Sequence, residues 1–304
     1  MTSARLWWQG ARPRTLPASL APVAVGAGSA AFTNNDGYHP LDLLITALCA
    51  VVALALQVGV NYANDYSDGI RGTDSERLGP IRLVGQGLAP PTHVRGAAFA
   101  AFGVAALAGL TLVVITGLWW LLAVGAAAIA AAWFYTGGPR PYGYAGLGEV
   151  FVFVFFGLVA VAGTAACLTG GVTLLSLVLA VPVGLLAVAL LVANNLRDVH
   201  TDRAAGKNTL AARLGEARTR TLFVALIWLP FVIVALVSVA GLLSDAWPAL
   251  GVLALVAVPL AAAPARQVRG GASGTDLIVV LGETARLELV FSILLAIGVS
   301  LSWH

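Results

Sequence analysis

All seventeen lysines and arginines of this chain fall to one side of a set of nine long apolar runs. The runs cover approximately 15–33, 41–65, 94–116, 118–136, 147–169, 173–195, 219–241, 247–264 and 279–303. A bilayer core of about 30 Å takes roughly 20 apolar residues of helix, so each run has the length of one crossing. Arg5, Arg12 and Arg14 precede the first run. Arg71, Arg77, Arg82 and Arg95 follow the second, and Arg140 follows the fourth. Arg197, Arg203, Lys207, Arg213, Arg218 and Arg220 follow the sixth, Arg266 and Arg269 the eighth, and Arg286 lies near the start of the ninth. With nine crossings these charges share one face. The positive-inside rule then puts the N-terminus in the cytoplasm and the C-terminus outside. Any other count scatters the charges, so the asymmetry supports nine. Gly117 supplies the turn between the third and fourth runs.

Only 10% of residues are charged, against roughly 25% in a soluble domain, and the mean hydropathy is +0.91. The expected class is therefore all-α: a polytopic membrane protein forming one domain over 1–304. Met1 to Gln9 has no apolar core of the signal-peptide kind, so the first run is expected to be a retained helix. The longest cytoplasmic connections follow runs two and six, which hints at a doubled four-helix unit plus a ninth helix. Cys49 and Cys167 sit in apolar stretches and read as small core residues. The four histidines lack metal-ligand spacing, and no nucleic-acid partner is expected.

Two acidic clusters stand out. Asn61, Asn64, Asp65 and Asp68 recur at i, i+3, i+4 and i+7, one stripe at the cytoplasmic end of the second helix. A helix C-terminus carries partial negative charge, so carboxylates there repel both the dipole and each other unless a cation intervenes. Asn194, Asp198 and Asp202 recur at i, i+4 and i+8 at the end of the sixth helix, on the same membrane face. Carboxylates this close to a bilayer are costly and point to function. Paired carboxylate clusters beside basic loops suit diphosphate binding through Mg²⁺, which takes one or two carboxylates and fills its shell with substrate oxygens and water. Arg71, Arg82, Arg140, Arg197 and Lys207 are candidates for the remaining oxygens. A lipid-tailed diphosphate explains why the site belongs in a membrane. Tyr135 and Tyr142 flank Arg140 and offer aromatic faces to an allylic cation. A transporter with carboxylate ion sites is the rival class, but such sites lie near the midplane, and these clusters lie at helix ends.

The residues resemble the UbiA-type intramembrane prenyltransferases. Asn64-Asp-Tyr-Ser-Asp68 is similar to the family's first motif and Asp198-Val-His-Thr-Asp202 to its second. A further Asp usually follows the first motif at four residues, whereas Asp74 follows Asp68 at six. Ala11-Arg-Pro-Arg-Thr-Leu-Pro-Ala-Ser19, Gly79-Pro-Ile-Arg82, the stretch from Tyr135 to Glu149, and Gly206-Lys-Asn-Thr-Leu210 resemble the 1,4-dihydroxy-2-naphthoate prenyltransferases of menaquinone synthesis. The resemblance implies nine helices around a central lipid-accessible cavity. It implies transfer of a polyprenyl chain from polyprenyl diphosphate to 1,4-dihydroxy-2-naphthoate with loss of CO₂, at the cytoplasmic face of the cell membrane. 4-Hydroxybenzoate, homogentisate and haem are the alternative acceptors. On that reading Asp65, Asp68, Asp198 and Asp202 hold Mg²⁺ with Asn64 and Asn194 assisting. Asn61, Asp74, Arg71, Arg82, Tyr135, Arg197 and Lys207 bind substrate. Arg140 and Tyr142 act in the reaction, and Glu149 orients the acceptor.

Overall fold

The structure is a computed structural model describing residues 3–34, 39–72, 79 and 81–302. Asp74 and Arg77 lie outside the described residues. Among those described there is no strand, and every apolar run lies on helical chain.

In chain order the helices are α1 (Ala4–Gly10), α2 (Pro17–Asn34), α3 (Pro40–Ile70), α4 (Pro91–Thr116) and α5 (Leu121–Phe134). Then come α6 (Gly148–Val152) and α7 (Ala160–Thr169), joined by a π-helical stretch Phe153–Val159 into one rod. The remainder are α8 (Leu174–Arg197), α9 (Val199–Ala204), α10 (Leu210–Leu214), α11 (Glu216–Leu243), α12 (Val258–Arg269) and α13 (Asp276–Ser300). A 3₁₀ stretch, Ala249–Ala257, leads into α12. Among the described residues, six helices are long and apolar enough to cross a membrane: α3, α4, the α6–α7 rod, α8, α11 and the rod ending in α12. A seventh is added when α1 and α2, bent by 49° at their junction, are taken as one span. The helix α5 is shorter, at 14 residues, and α13 carries Glu283, Arg286 and Glu288 within its 25 residues.

The surface is inverted relative to a soluble protein. Leu107, Val114, Trp119 and Leu243 are exposed, as a lipid-facing wall requires. Carboxylates are turned inward: Asp65, Asp68, Asp198 and Asp202 are each 5% exposed or less. One apolar core joins α8, α11, α12 and α13, and a second joins α3 and α4 near Tyr62 and Leu83. Small residues let the backbones approach. A Cβ on Gly28 of α2 would meet the Ala296 backbone of α13 at 2.7 Å, and one on Gly157 would meet the Gly184 Cα of α8 at 2.7 Å. With little hydrophobic drive between helices in lipid, such contact supplies the packing energy. The π stretch lies at that second crossing, where its wider turn carries Gly157 against Gly184.

Two expectations are refined. The helix α3 runs five residues past the expected end of the second run, so its whole polar stripe is helical. The second cluster is not on one continuous helix. It breaks at Asp198 (φ −97°, ψ 6°), and Asp202 sits on the separate α9. At that position the Asp198 carboxylate lies against the Arg197 guanidinium.

Candidate functional site

The acidic ends of α3 and α8 converge on one cavity. Asn64 and Asp68 reach it from α3, Asn194 and Asn195 from α8, and Asp202 from α9. Connections close the rim with Arg12, Arg82, Tyr135, Thr136, Tyr144 and Lys207. Each connection is tied to a helix by a side chain. The Asp65 carboxylate accepts the Leu83 N–H at 2.7 Å and the Val84 N–H at 3.0 Å. Those bonds pull the loop after α3 back onto its own helix, and Arg82 faces the cavity as a result. Thr136 donates its hydroxyl to the Asn64 amide oxygen at 2.8 Å, which docks the segment after α5.

The two clusters meet at Asp68. Its Oδ1 accepts from the Lys207 ammonium at 3.1 Å and from the Tyr144 hydroxyl. Lys207 also lies 4.7 Å from the centre of the Tyr144 ring. Both partners of the Lys207–Asp68 ion pair are buried. In a low-dielectric setting such a pair is stable only with further hydrogen bonds, and Tyr144 provides one.

The expected residues divide by position. Asn64, Asp68, Arg82, Tyr135, Asn194, Asp202 and Lys207 line the cavity. Asp65 and Asp198 do not. Asp65 has both oxygens on backbone N–H groups, and Asp198 receives a bidentate pair from Arg197, 2.7 Å on each side. Arg197 also donates to the Asn194 amide oxygen at 2.8 Å, so its charge is used within its own helix end. Arg71 is exposed and donates to the Thr136 and Gly138 carbonyls, clamping the neighbouring loop. Arg140 is exposed and outside the lining. Asn61 donates to the Ala11 carbonyl at 3.0 Å, which makes it an anchor for the N-terminal segment.

Tyr142 stands behind the cavity in an aromatic row. Tyr135 meets it edge-on with ring centres 5.5 Å apart, Phe151 stacks on it at 4.0 Å, and Phe155 stacks on Phe151 at 6.2 Å. Its hydroxyl donates to the Ala131 carbonyl, and burial pushes the phenol up from its ordinary value, so it stays protonated. Glu149 is buried at the start of α6 and accepts from the Asn195 amide at 3.0 Å.

Sequence periodicity missed Arg12, Thr136 and Asn195. Asn195 follows Asn194 and lies about 100° around the helix from it, so a stripe count keeps only one of them. The cavity end is wide enough for both.

Oxygen-bearing side chains line the cavity, the Asp68 and Asp202 carboxylates and the Asn64 and Asn194 amides among them. That set fits a hard cation such as Mg²⁺, which needs few carboxylates and draws its other ligands from water and phosphate. Among the described residues no group of three or more His, Cys, Asp or Glu converges.

Comparison with known proteins agrees with this architecture. The chain is 49% identical over 302 residues to the 1,4-dihydroxy-2-naphthoate octaprenyltransferase of Mycobacterium leprae, covering 99% of this chain and 98% of that one. It is 49% identical to the Mycobacterium tuberculosis protein of the same name, covering 97% of each. A solved UbiA homolog from Archaeoglobus fulgidus, bound to DMAPP and Mg2+, superposes with a TM-score of 0.63 at 14% identity, over 96% of this chain and 99% of that one. The sequence profile of the UbiA prenyltransferase family matches residues 19–276, a span that holds both acidic helix ends and most of the cavity between them, and the chain belongs to that family.

Proposed function

We propose that this protein transfers a polyprenyl chain from polyprenyl diphosphate to 1,4-dihydroxy-2-naphthoate, releasing diphosphate and CO₂ and giving demethylmenaquinol, the reduced form of demethylmenaquinone. The observation that carries the reading is the junction of the two clusters. Asp68 and Asp202 share a cavity with Lys207 and Arg82, although Asp68 and Lys207 stand 139 residues apart in sequence. Full-length identity to proteins named for this reaction supports the acceptor.

Arg82 and Lys207 bind diphosphate oxygens through charge-assisted hydrogen bonds. Asp68 and Asp202, with Asn64 and Asn194 beside them, hold Mg²⁺. Bound there, Mg²⁺ would supply positive charge to offset that of the departing diphosphate. Tyr144 donates to the Asp68 Oδ1 and fixes the orientation of that carboxylate. The row from Tyr135 to Phe155 runs from the rim along the α6–α7 rod and lays aromatic faces beside the path of the isoprenoid tail. A desolvated aromatic face stabilises an adjacent cation by about 2 kcal/mol. Glu149, held by Asn195, orients the naphthoate. The electron-rich ring attacks the allylic carbon, and loss of the carboxyl restores aromaticity. The Tyr142 phenol, protonated and bonded to backbone, is not the base.

The same reading places nine crossings in the cell membrane with the N-terminus and cavity at the cytoplasmic face. The one-sided basic residues support it, because the α5 and α13 connections then agree with the positive-inside rule.

The test is turnover of carboxyl-labelled naphthoate by the purified full-length protein, with and without Mg²⁺, read by mass spectrometry of the lipid product. One labelled CO₂ per prenyl transferred is expected. A product that keeps the label, or faster turnover of 4-hydroxybenzoate in competition, overturns the acceptor. Turnover unchanged by chelation overturns the metal.

A further inference from the structure

We propose that Arg12 is a third cationic ligand of the diphosphate, delivered to the cavity by a left-handed turn where α1 breaks into α2. The proposal rests on the diphosphate reading of the cavity and adds a binding residue from a segment that neither acidic motif contains.

Arg12 has φ 56° and ψ 64° and is the one non-glycine residue with positive φ among those described. That conformation costs free energy for any residue with a Cβ, and an outlier of this kind persists only where the surroundings over-determine it. The surroundings here are specific. Asn61 donates to the Ala11 carbonyl at 3.0 Å and to the Thr15 hydroxyl at 3.4 Å, on either side of Arg12. Gln57 donates to the same hydroxyl at 3.2 Å, and that hydroxyl donates to the Arg12 carbonyl at 2.9 Å. Tyr62 donates to the Trp7 carbonyl at 2.8 Å. Three side chains of α3, Gln57, Asn61 and Tyr62, therefore hold the turn and the helix before it in place. Pro13 then opens a 3₁₀ turn, and the chain bends by 49° into α2.

The result is a contrast between two neighbouring arginines. Arg14 is exposed, as a topology signal should be. Arg12 is turned inward and lines the cavity with Arg82, Lys207, Asn64 and Asp68. Its charge also acts on Asp65, the carboxylate that holds the Leu83 and Val84 N–H groups. Two guanidinium groups and one ammonium line this single cavity beside the Asp68 and Asp202 carboxylates. Guanidinium groups suit the oxygens of a diphosphate by paired N–H donation.

The purely structural alternative is that Arg12 serves only as a counter-ion to Asp65. Full-length wild type, Arg12→Gln, Arg12→Lys and Arg12→Gly proteins in lipid nanodiscs separate the two. Each is titrated with inorganic pyrophosphate plus Mg²⁺ by calorimetry, assayed for KM of each substrate, and melted. Arg12→Gln is expected to weaken pyrophosphate binding by about 10- to 100-fold, the range for one charge-assisted hydrogen bond. The KM for prenyl diphosphate should rise in parallel, with the naphthoate KM unchanged. Arg12→Lys should recover part of the affinity. Arg12→Gly should lose affinity as Arg12→Gln does while melting no lower than wild type, because glycine adopts the turn without strain. Wild-type pyrophosphate affinity in Arg12→Gln and Arg12→Gly overturns the proposal. So does a loss of affinity that only accompanies a lowered melting point and raises both KM values equally. A wild-type protein that binds no pyrophosphate overturns the diphosphate reading and this proposal together.

Discussion

Lys207 places its ammonium 3.1 Å from the Oδ1 of Asp68, joining positions 139 residues apart. That one contact welds the end of α3 to the connection after α9 and makes a single site of two motifs. Asp68→Asn is expected to lower turnover by at least about 100-fold, since it removes a carboxylate from both the ion pair and the proposed metal site. Lys207→Met, which keeps the length of the stem, should raise the KM for prenyl diphosphate more than that for naphthoate. Steady-state kinetics at several Mg²⁺ concentrations reads both, and near-normal turnover of Asp68→Asn at any of them would remove Asp68 from the proposed metal site.

Asp65 and Asp198 are expected to behave differently from Asp68 and Asp202. Asp65→Ala strips two backbone N–H groups of their acceptor, at about 1–3 kcal/mol for each buried group left unpaired. Asp198→Ala leaves Arg197 buried beside a missing partner, which costs about 3–5 kcal/mol. Both variants should melt earlier than wild type. Asp202→Asn should lose turnover with an unchanged melting point. Thermal melts beside activity assays distinguish these patterns, and an unshifted melt for Asp198→Ala would contradict the assignment.

Glu149→Gln retains an oxygen for the Asn195 amide but loses the carboxylate. The expected outcome is a naphthoate KM raised by roughly 10-fold, the effect of losing about one polar contact, with the prenyl diphosphate KM unchanged. A change in the diphosphate KM instead would place Glu149 on the other substrate.

Cysteines introduced by Asn34→Cys and Ser244→Cys should react with an impermeant thiol reagent in intact cells, and one introduced by Arg140→Cys should react only after permeabilisation. All three positions are exposed in the structure. Cys49 and Cys167 are replaced first to clear the background. Labelling of Arg140→Cys in intact cells would break the nine-crossing topology.

Gly157→Val places side-chain atoms where the Gly184 Cα now lies. Overpacking of this kind costs about 1–3 kcal/mol, so the variant should melt earlier, and Gly163→Val, with open space around it, should not. Differential scanning of the two proteins in the same detergent makes the comparison.

The sequence alone determined what the bilayer dictates. Apolar length forces helices, because backbone groups in lipid must pair within their own segment. The stripe from Asn61 to Asp68 was legible because a helix repeats every 3.6 residues whatever packs against it. The convergence of the α3 and α8 ends was legible as a shared membrane face, and no further. Only tertiary structure decided which carboxylates face the cavity. Asp65 and Asp68 look alike in sequence, yet the loop at Leu83 and Val84 folds back onto one and Lys207 reaches the other. Arg140 and Lys207 were equal candidates by charge, and the loops exposed the first and buried the second. Arg12 read as a topology signal, and its inward turn depends on Gln57, Asn61 and Tyr62, more than forty positions away. Local periodicity fixes the face of a helix. The direction of a loop side chain depends on hydrogen bonds to distant residues, and no local pattern encodes those partners.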